Sequence, residues 1–407
     1  MIRAAIIGIS GFGRTHYNDL IGQVAAGHMQ AVAATVINQD EEAERCAHLR
    51  EIGCELFTDH REMLRKYEGQ LDLCFIPTGI HLHAPMTIDA MRAGANVFVE
   101  KPASGAVQYV REMQAAEQET GKFVAVGYQT MYSAETMIMK DAILSGRIGK
   151  VSSIKARALW PRMDNYYARN GWAGTLRNGD TWVLDSPYNN ALAHQFNMIG
   201  FLGGTERERS AEIASVKSEL YRGHDIENTD TACIRAKTST GISLWFIVTH
   251  CSEEPFGPEI VVVGDKGRIR WDFTTTTIES DGRTESFATE EMDTVRPKIM
   301  EHIRKRIDDP TAFIGGLDIA GTQTLMMNGA HESSAIHTVP AEYVVRTPYT
   351  EGNSETVKTV ITGVDDAVNR AFEQERMFSE IGVPWAVAGE EFEMKDYQAF
   401  EGGKTAS

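Results

Sequence analysis

A glycine-rich turn close to the N-terminus combines residue types and a spacing that suit a dinucleotide pyrophosphate. The apolar run 4–7 breaks at once into the segment 8–13, GISGFG. Gly8 permits a tight bend, and Gly13 lets the following helix pack closely, so that its positive N-terminal end faces the phosphates. The spacing is G-x-S-x-x-G, and a glycine turn without a ligand is the alternative interpretation. We expect the loop to contact the cofactor through Gly8, Ser10, Gly11, Phe12 and Gly13.

A lysine at residue 101 has the setting of a catalytic group. The apolar strand 96–99 is followed by Glu100, Lys101 and Pro102, and ligands of open α/β sheets bind at the carboxyl ends of the strands. Pro102 restricts Lys101 to an extended conformation, which aims its ammonium group. The segment 77–83, PTGIHLH, ends another strand at the same edge. The alternative is an exposed strand end that carries a solvated ion pair.

The composition limits the partners that the chain can have. Its 407 residues, 42% of them hydrophobic, are enough for two domains, each with its own core. The formal net charge of -17 disfavours nucleic acid and anionic membranes as partners. No apolar stretch is long enough to span a bilayer, and the N-terminus lacks the pattern of a secretory signal, so we expect a cytoplasmic protein.

The cysteines indicate neither a disulfide framework nor a metal site. Cys46, Cys54, Cys74, Cys233 and Cys251 are scattered without C-x-x-C spacing, in segments typical of helix or strand. This usage is typical of buried thiols in a reducing compartment. We therefore predict that the protein binds no metal.

Alternating patterns divide the chain into two domains and a tail. Up to about residue 128, strand-like runs alternate with amphipathic helical segments, which predicts βαβ units and a doubly wound parallel sheet. Beyond the turn at 145–149 the runs become longer, which predicts a second α/β domain with a large, mostly antiparallel open sheet. The predicted boundaries are 1–128 for the first domain, 129–388 for the second, and 389–407 for a polar tail that we expect to be frayed.

These motifs together resemble those of the Gfo/Idh/MocA oxidoreductases, a family named after glucose-fructose oxidoreductase and inositol dehydrogenase. The resemblance covers nearly the whole chain and is carried by the glycine loop, the segments 78–83 and 100–102, and the segment 145–151, SGRIGKV. It implies a Rossmann domain joined to an α/β domain, a bound NAD or NADP, and hydride transfer at a carbon of a sugar or polyol. It also implies that Lys101 touches both the nicotinamide ribose and the substrate. Further cofactor contacts are expected from Thr78, His83, Glu100 and Gln129.

The second catalytic motif of that family, D-x-x-x-H-x-x-D, is matched with amides in place of both carboxylates. His194 fits the histidine, while Asn190 and Asn197 occupy the aspartate positions. Residues four apart lie on one face of a helix, so Asn190 and His194 can both reach the cleft. Asp185 is the nearest upstream carboxylate. The alternative for His194 is a packed helix histidine that is bonded to a neighbour.

Oxidation of an alcohol requires a base that takes the hydroxyl proton as the hydride leaves. Histidine is suited to this task, and an ammonium group stabilises the developing alkoxide, which assigns the two roles to His194 and Lys101. Without carboxylate neighbours His194 gains no added basicity, which favours a neutral base or a role limited to hydrogen bonding. The predicted catalytic residues are Lys101, His194, Asn190 and Asp185.

The segment 160–172, WPRMDNYYARNGW, offers aromatic faces and hydrogen-bonding groups of the kind found in carbohydrate sites. A surface loop folded onto its own aromatic residues is the alternative. The segment 331–334, HESS, is another polar cluster, either at the substrate site or in a structural turn. The predicted substrate contacts are Lys101, Arg162, Tyr167, Arg169, Trp172, Tyr188, Asn190 and His194.

Asn38 ends the second strand, where an acidic residue usually binds the adenosine ribose 2′-hydroxyl. An amide can bond a hydroxyl without repelling a phosphate, so this residue alone does not decide between NAD and NADP. The loop that follows, 39–42 (QDEE), is acidic, and Arg45 is the first cation after it. A 2′-phosphate would meet repulsion there, which favours NAD without excluding NADP.

The motifs and the resemblance together predict an NAD(P)-dependent dehydrogenase or reductase that acts on CH–OH groups. The expected partner is a sugar, polyol or sugar derivative, and we expect a homodimer or homotetramer formed through the C-terminal sheet. Two other functions stay open. One is an NAD-dependent glycoside hydrolase that oxidises its sugar transiently and eliminates the aglycone, and the other is a non-catalytic, cofactor-binding regulator.

Overall fold

The computed structural model describes residues 1–404, and these residues divide into two compact units. The first unit comprises Met1–Ser104, Gln108–Tyr132 and Asp293–Ala320. The second comprises Gly105–Val107, Ser133–Met292 and the chain from Gly321 onwards. The first boundary lies close to the predicted one, but the prediction of two continuous domains misses the return of the chain to the first unit.

Within residues 1–404, the first unit is built on a six-stranded parallel sheet with the order β3-β2-β1-β4-β5-β6. Its strands are β1 (Ile2–Ile7), β2 (Met29–Thr35), β3 (Glu55–Phe57), β4 (Leu73–Ile76), β5 (Asn96–Val99) and β6 (Val124–Val126). The helices of this stretch are α1 (Gly13–Ala25), α2 (Ala43–Glu51), α3 (His60–Lys66), α4 (Ile80–Arg92) and α5 (Val107–Thr120), followed by a 3-10 turn at Gln129–Tyr132.

The doubly wound parallel sheet predicted for the N-terminal domain is confirmed. Strand β4 is buried along its whole length, as expected for a central strand covered by helices on both faces. The strand order reverses at β1, which has β2 on one side and β4 on the other, and such a switch point is where open α/β sheets bind ligands. The carboxyl ends of β1, β4 and β5 therefore bring the segments 8–13, 77–83 and 100–102 to one edge.

Helix α9 (Met292–Asp308) begins with Met292 of the second unit, and its other residues belong to the first. Arg296 of this helix anchors the returning chain within the first unit. Arg296 Nε donates a hydrogen bond of 2.8 Å to Asp19 Oδ2 on α1, and both side chains are largely buried. A buried ion is destabilising without its partner, so each residue requires the other. The two are 277 positions apart, and no local pattern around either signals the pairing.

The second unit holds a mixed sheet, which has ten strands in the described part of the chain. Its strand order is β16-β15-β14-β13-β7-β12-β11-β10-β17, with β20 also paired to β10. The strands are β7 (Val151–Leu159), β10 (Ile213–Arg222), β11 (Thr231–Thr238), β12 (Ser243–Thr249), β13 (Phe256–Gly264), β14 (Gly267–Asp272), β15 (Thr275–Ser280), β16 (Arg283–Ala288), β17 (Ile336–Thr338) and β20 (Phe392–Glu393). The predicted antiparallel character is confirmed for most pairs, while β7 with β12 and β10 with β17 are parallel.

Further helices and strands surround this sheet. The helices are α6 (Ala134–Leu144), α7 (Asp164–Tyr167), α8 (Ala193–Leu202), α10 (Leu317–Ser333) and α11 (Val364–Gln374), with 3-10 turns at Ala341–Tyr343 and Ser379–Ile381. Strands β8 (Arg177–Asn178) and β9 (Thr181–Trp182) form one small hairpin, and β18 (Val344–Glu351) and β19 (Ser354–Ile361) form another.

The chain itself covers both faces of the central strands of the large sheet. On β12, the ring of Phe246 lies 4.8 Å from that of Phe196 on α8. Its neighbours Trp245 and Ile247 face the other side, where they join a buried cluster that includes Val368 of α11. The predicted large open sheet is confirmed, and α11 packs on its second face. The expected contact between copies through this sheet stays a prediction.

The C-terminal segment is packed rather than frayed as far as residue 404. Phe392–Glu393 pairs with β10, and Phe400 is buried with its ring 4.9 Å from that of Trp182. Apolar contacts hold this segment, although its composition is mostly polar and acidic. Residues 405–407 of the predicted tail lie outside the described residues.

Across residues 1–404, the helices are too short or too polar to cross a bilayer. All five cysteines in that range are buried and form no disulfide bond, in agreement with the prediction that they are buried thiols.

A buried lysine fixes the end of α8, the helix that carries His194. Lys140 Nζ on α6 donates hydrogen bonds to the carbonyl oxygens of Phe201, Gly204 and Arg209, at 2.6, 2.7 and 3.2 Å. The last carbonyl groups of a helix have no partner within the helix, and a cation near them is stabilising. Lys140 thereby anchors α6 to the C-terminus of α8.

We predict that Lys140→Met lowers the free energy of unfolding by about 2–3 kcal/mol, because buried carbonyl groups lose their donor. Lys266→Met serves as the matched control, since Lys266 is exposed and forms no side-chain hydrogen bond within the described residues. The control is expected to stay within about 0.5 kcal/mol of the parent protein. Equal urea denaturation midpoints for the two variants would show that Lys140 does not support α8.

Candidate active site

The glycine loop after β1 has the geometry of a phosphate-binding turn. Gly8 has φ of 91°, a left-handed conformation that other residues rarely adopt, and its N–H donates to Thr35 O at 2.8 Å. A Cβ atom on Gly13 would lie 3.0 Å from Gly8 O, which is too close for any larger residue without movement. Helix α1 begins at Gly13 and is therefore held against the end of β1. This arrangement leaves the helix N-terminus available to an anion.

His16 and Glu100 form a buried pair that joins α1 to the end of β5. His16 Nε2 and Glu100 Oε2 are 2.9 Å apart, and both residues are buried. Burial lowers the pKa of His16. Burial also raises the pKa of Glu100, but the hydrogen bond from His16 and the charge of Arg296 outweigh it and bring that pKa to about 2. A neutral imidazole therefore donates to a carboxylate, and Lys101 follows directly on this fixed position.

His83 joins two neighbouring strand ends. Its Nδ1 lies 2.8 Å from Pro102 O, and its Nε2 lies 3.0 Å from Thr78 O. Burial lowers the pKa of this imidazole. Thr78 Oγ1 is buried and has no hydrogen-bond partner among the described residues, so it is available to a ligand. The imidazole of His83 thus bridges the backbone carbonyl groups of Thr78 and Pro102. Lys101 is half-buried, and its peptide bond to Pro102 is cis.

Asn38 connects the glycine loop to the acidic loop that follows β2. Its Oδ1 accepts a hydrogen bond of 3.0 Å from Ser10 Oγ, and its Nδ2 donates one of 2.8 Å to Glu41 Oε2. Arg14 and Arg45 both pair with Glu42, while Arg50 donates a hydrogen bond of 2.8 Å to the neutral Gln39 Oε1. A ligand at Asn38 therefore meets the Glu41 carboxylate, and two of these three arginines already have an anionic partner.

Arg296 of α9 also contacts Gln129 and Phe12, two of the residues predicted to bind the cofactor. Its Nη1 donates a hydrogen bond of 3.4 Å to Gln129 Oε1, and its guanidinium carbon lies 5.5 Å from the centre of the Phe12 ring. Phe12 remains 54% exposed. Arg296 was not selected by sequence reasoning, since it lies far from every cofactor motif in the chain.

In the second unit, the structure brings together Asp185, Asn190 and Arg169. Asn190 Nδ2 donates a hydrogen bond of 2.8 Å to Asp185 Oδ1, and the backbone N–H of Gly174 donates one of 2.7 Å to Oδ2. Arg169 Nη2 lies 3.6 Å from the same Oδ2. The buried carboxylate of Asp185 therefore fixes the amide that occupies the first position of the helix motif.

His194 lies in the first turn of α8 and is half-buried. Asn197, three residues later, is buried, and neither its Oδ1 nor its Nδ2 has a hydrogen-bond partner among residues 1–404. Helix α8 begins at Ala193, so Asn190 lies in the turn before it, and the helix spacing relates only His194 and Asn197, which are three residues apart. The expectation that Asn190 and His194 share a helix face is therefore wrong. Lys101 belongs to the first unit and His194 to the second.

The segment 160–172 stacks on itself through alternating arginines and aromatic rings. The Arg169 guanidinium lies 3.8 Å from the centre of the Tyr166 ring and 5.6 Å from that of Trp172. Arg162 lies 5.1 Å from the rings of both Trp160 and Tyr166. These contacts are those expected of a loop folded onto its own aromatic residues, but the segment also contributes to a cavity.

That cavity has a volume of about 780 Å³ and lies within the second unit. Its wall includes the predicted Tyr167 and also Arg222, His224 and Arg346, which sequence reasoning missed. Arg222 and Arg346 donate to backbone carbonyl groups and form no ion pair within the described residues. Because these residues come from β10, the loop after it and β18, no short motif marks them as neighbours.

The inaccessible side-chain atoms that have no hydrogen-bond partner among the described residues include Arg162 Nε, Asn165 Oδ1, Asn228 Nδ2 and His250 Nε2 of the second unit. These four residues are not part of the cavity wall. The other ring nitrogen of His250 lies 3.0 Å from Tyr167 Oη. Buried polar groups are normally satisfied, so these unpaired donors and acceptors indicate ordered water or a polar ligand.

Tyr188 and His331 are in contact in the interior of the second unit. Tyr188 is fully buried, and its hydroxyl lies 3.2 Å from His331 Nε2. Burial lowers the pKa of His331 to about 4, so this imidazole is neutral. Ser333 donates to Glu390 O and accepts from the backbone N–H of Ser218. The structure therefore places these polar residues in structural hydrogen bonds.

Comparison with known families identifies both parts of the chain. Residues 2–128 match a family described as "Oxidoreductase family, NAD-binding Rossmann fold", and residues 136–270 match the "GFO/IDH/MocA C-terminal domain". These two matches together span more than half of the chain.

Curated relatives match over part of their length. The chain is 27% identical to inositol 2-dehydrogenase from Rubrobacter xylanophilus over 150 residues, which are 36% of this chain and 41% of that protein. It is 28% identical to inositol 2-dehydrogenase from Azotobacter vinelandii over 272 residues, which are 66% of this chain and 73% of that protein.

Among solved structures, the fold is similar to that of the WlbA dehydrogenase from Bordetella pertussis in complex with NADH and UDP-GlcNAcA. That comparison has a TM-score of 0.66 at 19% identity and covers 81% of this chain and 95% of the other. At this level of identity the likeness concerns the fold.

We predict that Gly13→Val abolishes dinucleotide binding and leaves the fold intact. A branched side chain would collide with Gly8 O and separate the helix N-terminus from the strand. Gly22→Val is the matched control, because a Cβ atom at Gly22, on the same helix, meets no atom within 4 Å. Calorimetric titration with NAD measures both affinities, and unchanged binding by a folded Gly13→Val protein would contradict the role of this loop.

Proposed function

Because the chain belongs to the Gfo/Idh/MocA family of NAD-binding oxidoreductases, we propose that it transfers a hydride between a nicotinamide dinucleotide and a hydroxyl-bearing carbon of a sugar, polyol or sugar derivative. The observation that carries this proposal is the position of Lys101. It follows the buried His16–Glu100 pair at the carboxyl end of β5, on the edge that bears the glycine loop. An ammonium group held there suits a developing alkoxide.

The residues of the first unit fit the cofactor. The loop 8–13 leaves room that a side chain at Gly13 would fill, and Thr78 Oγ1 is buried without a partner within residues 1–404. We assign the pyrophosphate to this loop and the adenosine ribose to Asn38. The nicotinamide supplies or accepts the hydride when it is bound.

Lys101 and His194 share the substrate hydroxyl in this proposal. Lys101 holds the oxygen, and His194 exchanges its proton directly or through one water. The hydrogen bond from Asn190 to Asp185 fixes the amide four residues before His194, in the turn that precedes α8. Asp185 is therefore a positioning residue here, and it is also the nearest carboxylate able to take over the proton if His194 does not.

The substrate class is proposed from the second unit. Hydroxyl groups both donate and accept hydrogen bonds, which matches a cavity wall that holds donors on Arg222 and Arg346 and acceptors on Asp164 and Glu227. Arg162, Arg169 and Trp172 are proposed to contribute stacking and polar contacts. Tyr188 is proposed to support the site as a positioning residue rather than to contact the substrate, because it is fully buried and its hydroxyl lies 3.2 Å from His331 Nε2.

Two related observations favour NAD over NADP. Glu41 receives the hydrogen bond of Asn38, which brings a carboxylate to the expected position of a 2′-phosphate. Glu42 pairs with Arg14 and Arg45, so the charges of these two arginines are already balanced, whereas Arg50 donates to the neutral Gln39. The Glu41 carboxylate and a 2′-phosphate carry charges of the same sign, and their repulsion disfavours NADP.

We predict that the parent protein binds NAD more tightly than NADP, and that Asp40→Asn combined with Glu41→Gln narrows the preference about tenfold by removing two negative charges. Glu44→Gln combined with Glu51→Gln changes the net charge equally on α2 and is expected to leave the preference unchanged. Titration of each protein with both dinucleotides measures this ratio. Tighter NADP binding by the parent protein would overturn the assignment of Asn38.

We predict that Lys101→Ala and His194→Ala each lower turnover by about a hundredfold to ten-thousandfold while the dinucleotide stays bound. The double variant is expected to lose less than the product of the two effects, because both groups act on one hydroxyl. Lys122→Ala and His28→Ala are the controls, since neither residue lies in a predicted site.

The measurement is a panel of sugars and polyols followed by nicotinamide absorbance, after mass spectrometry has identified any dinucleotide retained through purification. Near-normal turnover of His194→Ala would transfer the proton role to Asp185. Consumption of a glycoside without net change in nicotinamide absorbance would instead identify the redox-neutral hydrolase reaction. Binding of the dinucleotide without turnover of any compound would favour the regulator.

A further inference from the structure

Three potential metal ligands meet in the second unit, at the side of the cavity. His224, Asp230 and Cys251 are all buried, and one donor atom from each lies within 4.8 Å of the other two. His224 Nδ1 is 2.9 Å from Asp230 Oδ2 and 3.3 Å from Cys251 Sγ. Thiolate, imidazole and carboxylate are the donor types that zinc takes in proteins.

The sheet brings these residues together. His224 follows β10, Asp230 precedes β11, and Cys251 follows β12. These are three adjacent strands in the sheet, with β10 antiparallel to β11 and β11 antiparallel to β12, so the three residues lie at one end of it. The chain spacing matches no metal-binding motif, which is why the sequence predicts no metal.

The hydrogen positions place either a proton or a metal ion between His224 Nδ1 and Asp230 Oδ2. His224 Nε2 lies 3.0 Å from the carbonyl oxygen of Arg162, so this nitrogen carries a hydrogen. A neutral imidazole has one N–H, and Nδ1 then presents its lone pair to the carboxylate oxygen 2.9 Å away. Two lone pairs facing each other in a buried site repel, unless a proton or a metal ion lies between them.

The surroundings supply no other cation for Asp230. Its Oδ2 accepts the backbone N–H groups of Gly223 and His224, at 2.9 and 2.8 Å, and its Oδ1 accepts the hydroxyl of Thr231. Within residues 1–404, no lysine or arginine forms an ion pair with this fully buried carboxylate. The backbone contacts to Asp230 and the Arg162 carbonyl on Nε2 are the kind of outer contacts that orient metal ligands.

We propose that His224 Nδ1, Asp230 Oδ2 and Cys251 Sγ bind one divalent cation of the zinc class. Ligands at about 2.0–2.3 Å from zinc have donor atoms about 3.3–3.6 Å apart. The two distances from His224 Nδ1, 2.9 Å to Asp230 Oδ2 and 3.3 Å to Cys251 Sγ, differ from these values by a few tenths of an ångström. Binding converts the Cys251 thiol to a thiolate and releases its proton to solvent. The fourth position is left for water from the cavity, whose wall includes His224.

The ion would hold the loop between β10 and β11 in place. Gly223, His224 and Glu227 of this loop line the cavity, and the backbone N–H of Asn228 donates to the carbonyl oxygen of Gly174, which also lines it. A metal that links this loop to the end of β12 would stiffen the pocket in which Tyr167 lies. The proposed metal site is therefore separate from the proposed cofactor site, and metal binding does not depend on the proposed reaction.

The test is metal binding by the full-length protein after treatment with a chelator. We expect one zinc per chain by elemental analysis after dialysis, and a thiolate-to-metal absorption band when Co²⁺ is added instead. Cys251→Ser should remove the band and weaken zinc binding at least about a hundredfold. Cys233→Ser is the matched control, because Cys233 is also buried but lies outside the cluster, and it should keep both properties.

His224→Gln provides a second variant that keeps a polar side chain, in case Cys251→Ser does not fold. Two results would overturn the proposal. One is the absence of stoichiometric zinc and of the Co²⁺ band in the parent protein, which would mean that a proton alone links His224 to Asp230. The other is zinc binding by folded Cys251→Ser or His224→Gln that equals that of the parent protein.

Discussion

A carboxylate removed from water must find donors or a cation, and this constraint organises each functional region of the protein. Glu100 is paired with His16, Asp185 with Asn190 and the backbone of Gly174, and Asp230 with His224. Each pairing connects segments that are separate in the chain. Because breaking one would leave a buried charge uncompensated, the side chains next to these carboxylates are held in fixed positions.

The same constraint explains how the two units prepare different parts of the proposed reaction. In the first unit, the His16–Glu100 pair ties the helix of the glycine loop to the strand that carries Lys101. In the second, Asp185 fixes Asn190, while Lys140 fixes the far end of the helix that carries His194. The two residues that we propose to react, Lys101 and His194, therefore follow or belong to segments that buried polar contacts hold in place.

Local patterns predicted the parts of the fold that depend on neighbours in sequence. The parallel sheet, the glycine turn after β1 and strand β7 follow from short apolar runs and glycine punctuation, which act over a few residues. The covering of the second sheet face by α11 and the packing of Phe400 against Trp182 were not predicted. Both depend on apolar residues from distant segments, whose partners no local pattern identifies.

The sequence by itself determined the fold class, the family and the candidates Lys101 and His194, because their motifs are short and local. Only the tertiary structure decided which other side chains hold the segments of Lys101 and His194 in position. The Asp19–Arg296 pair, the cavity around Tyr167 and the cluster of His224, Asp230 and Cys251 join residues from different strands and helices. Such contacts arise when the sheet aligns the ends of its strands, and chain spacing carries no record of that alignment.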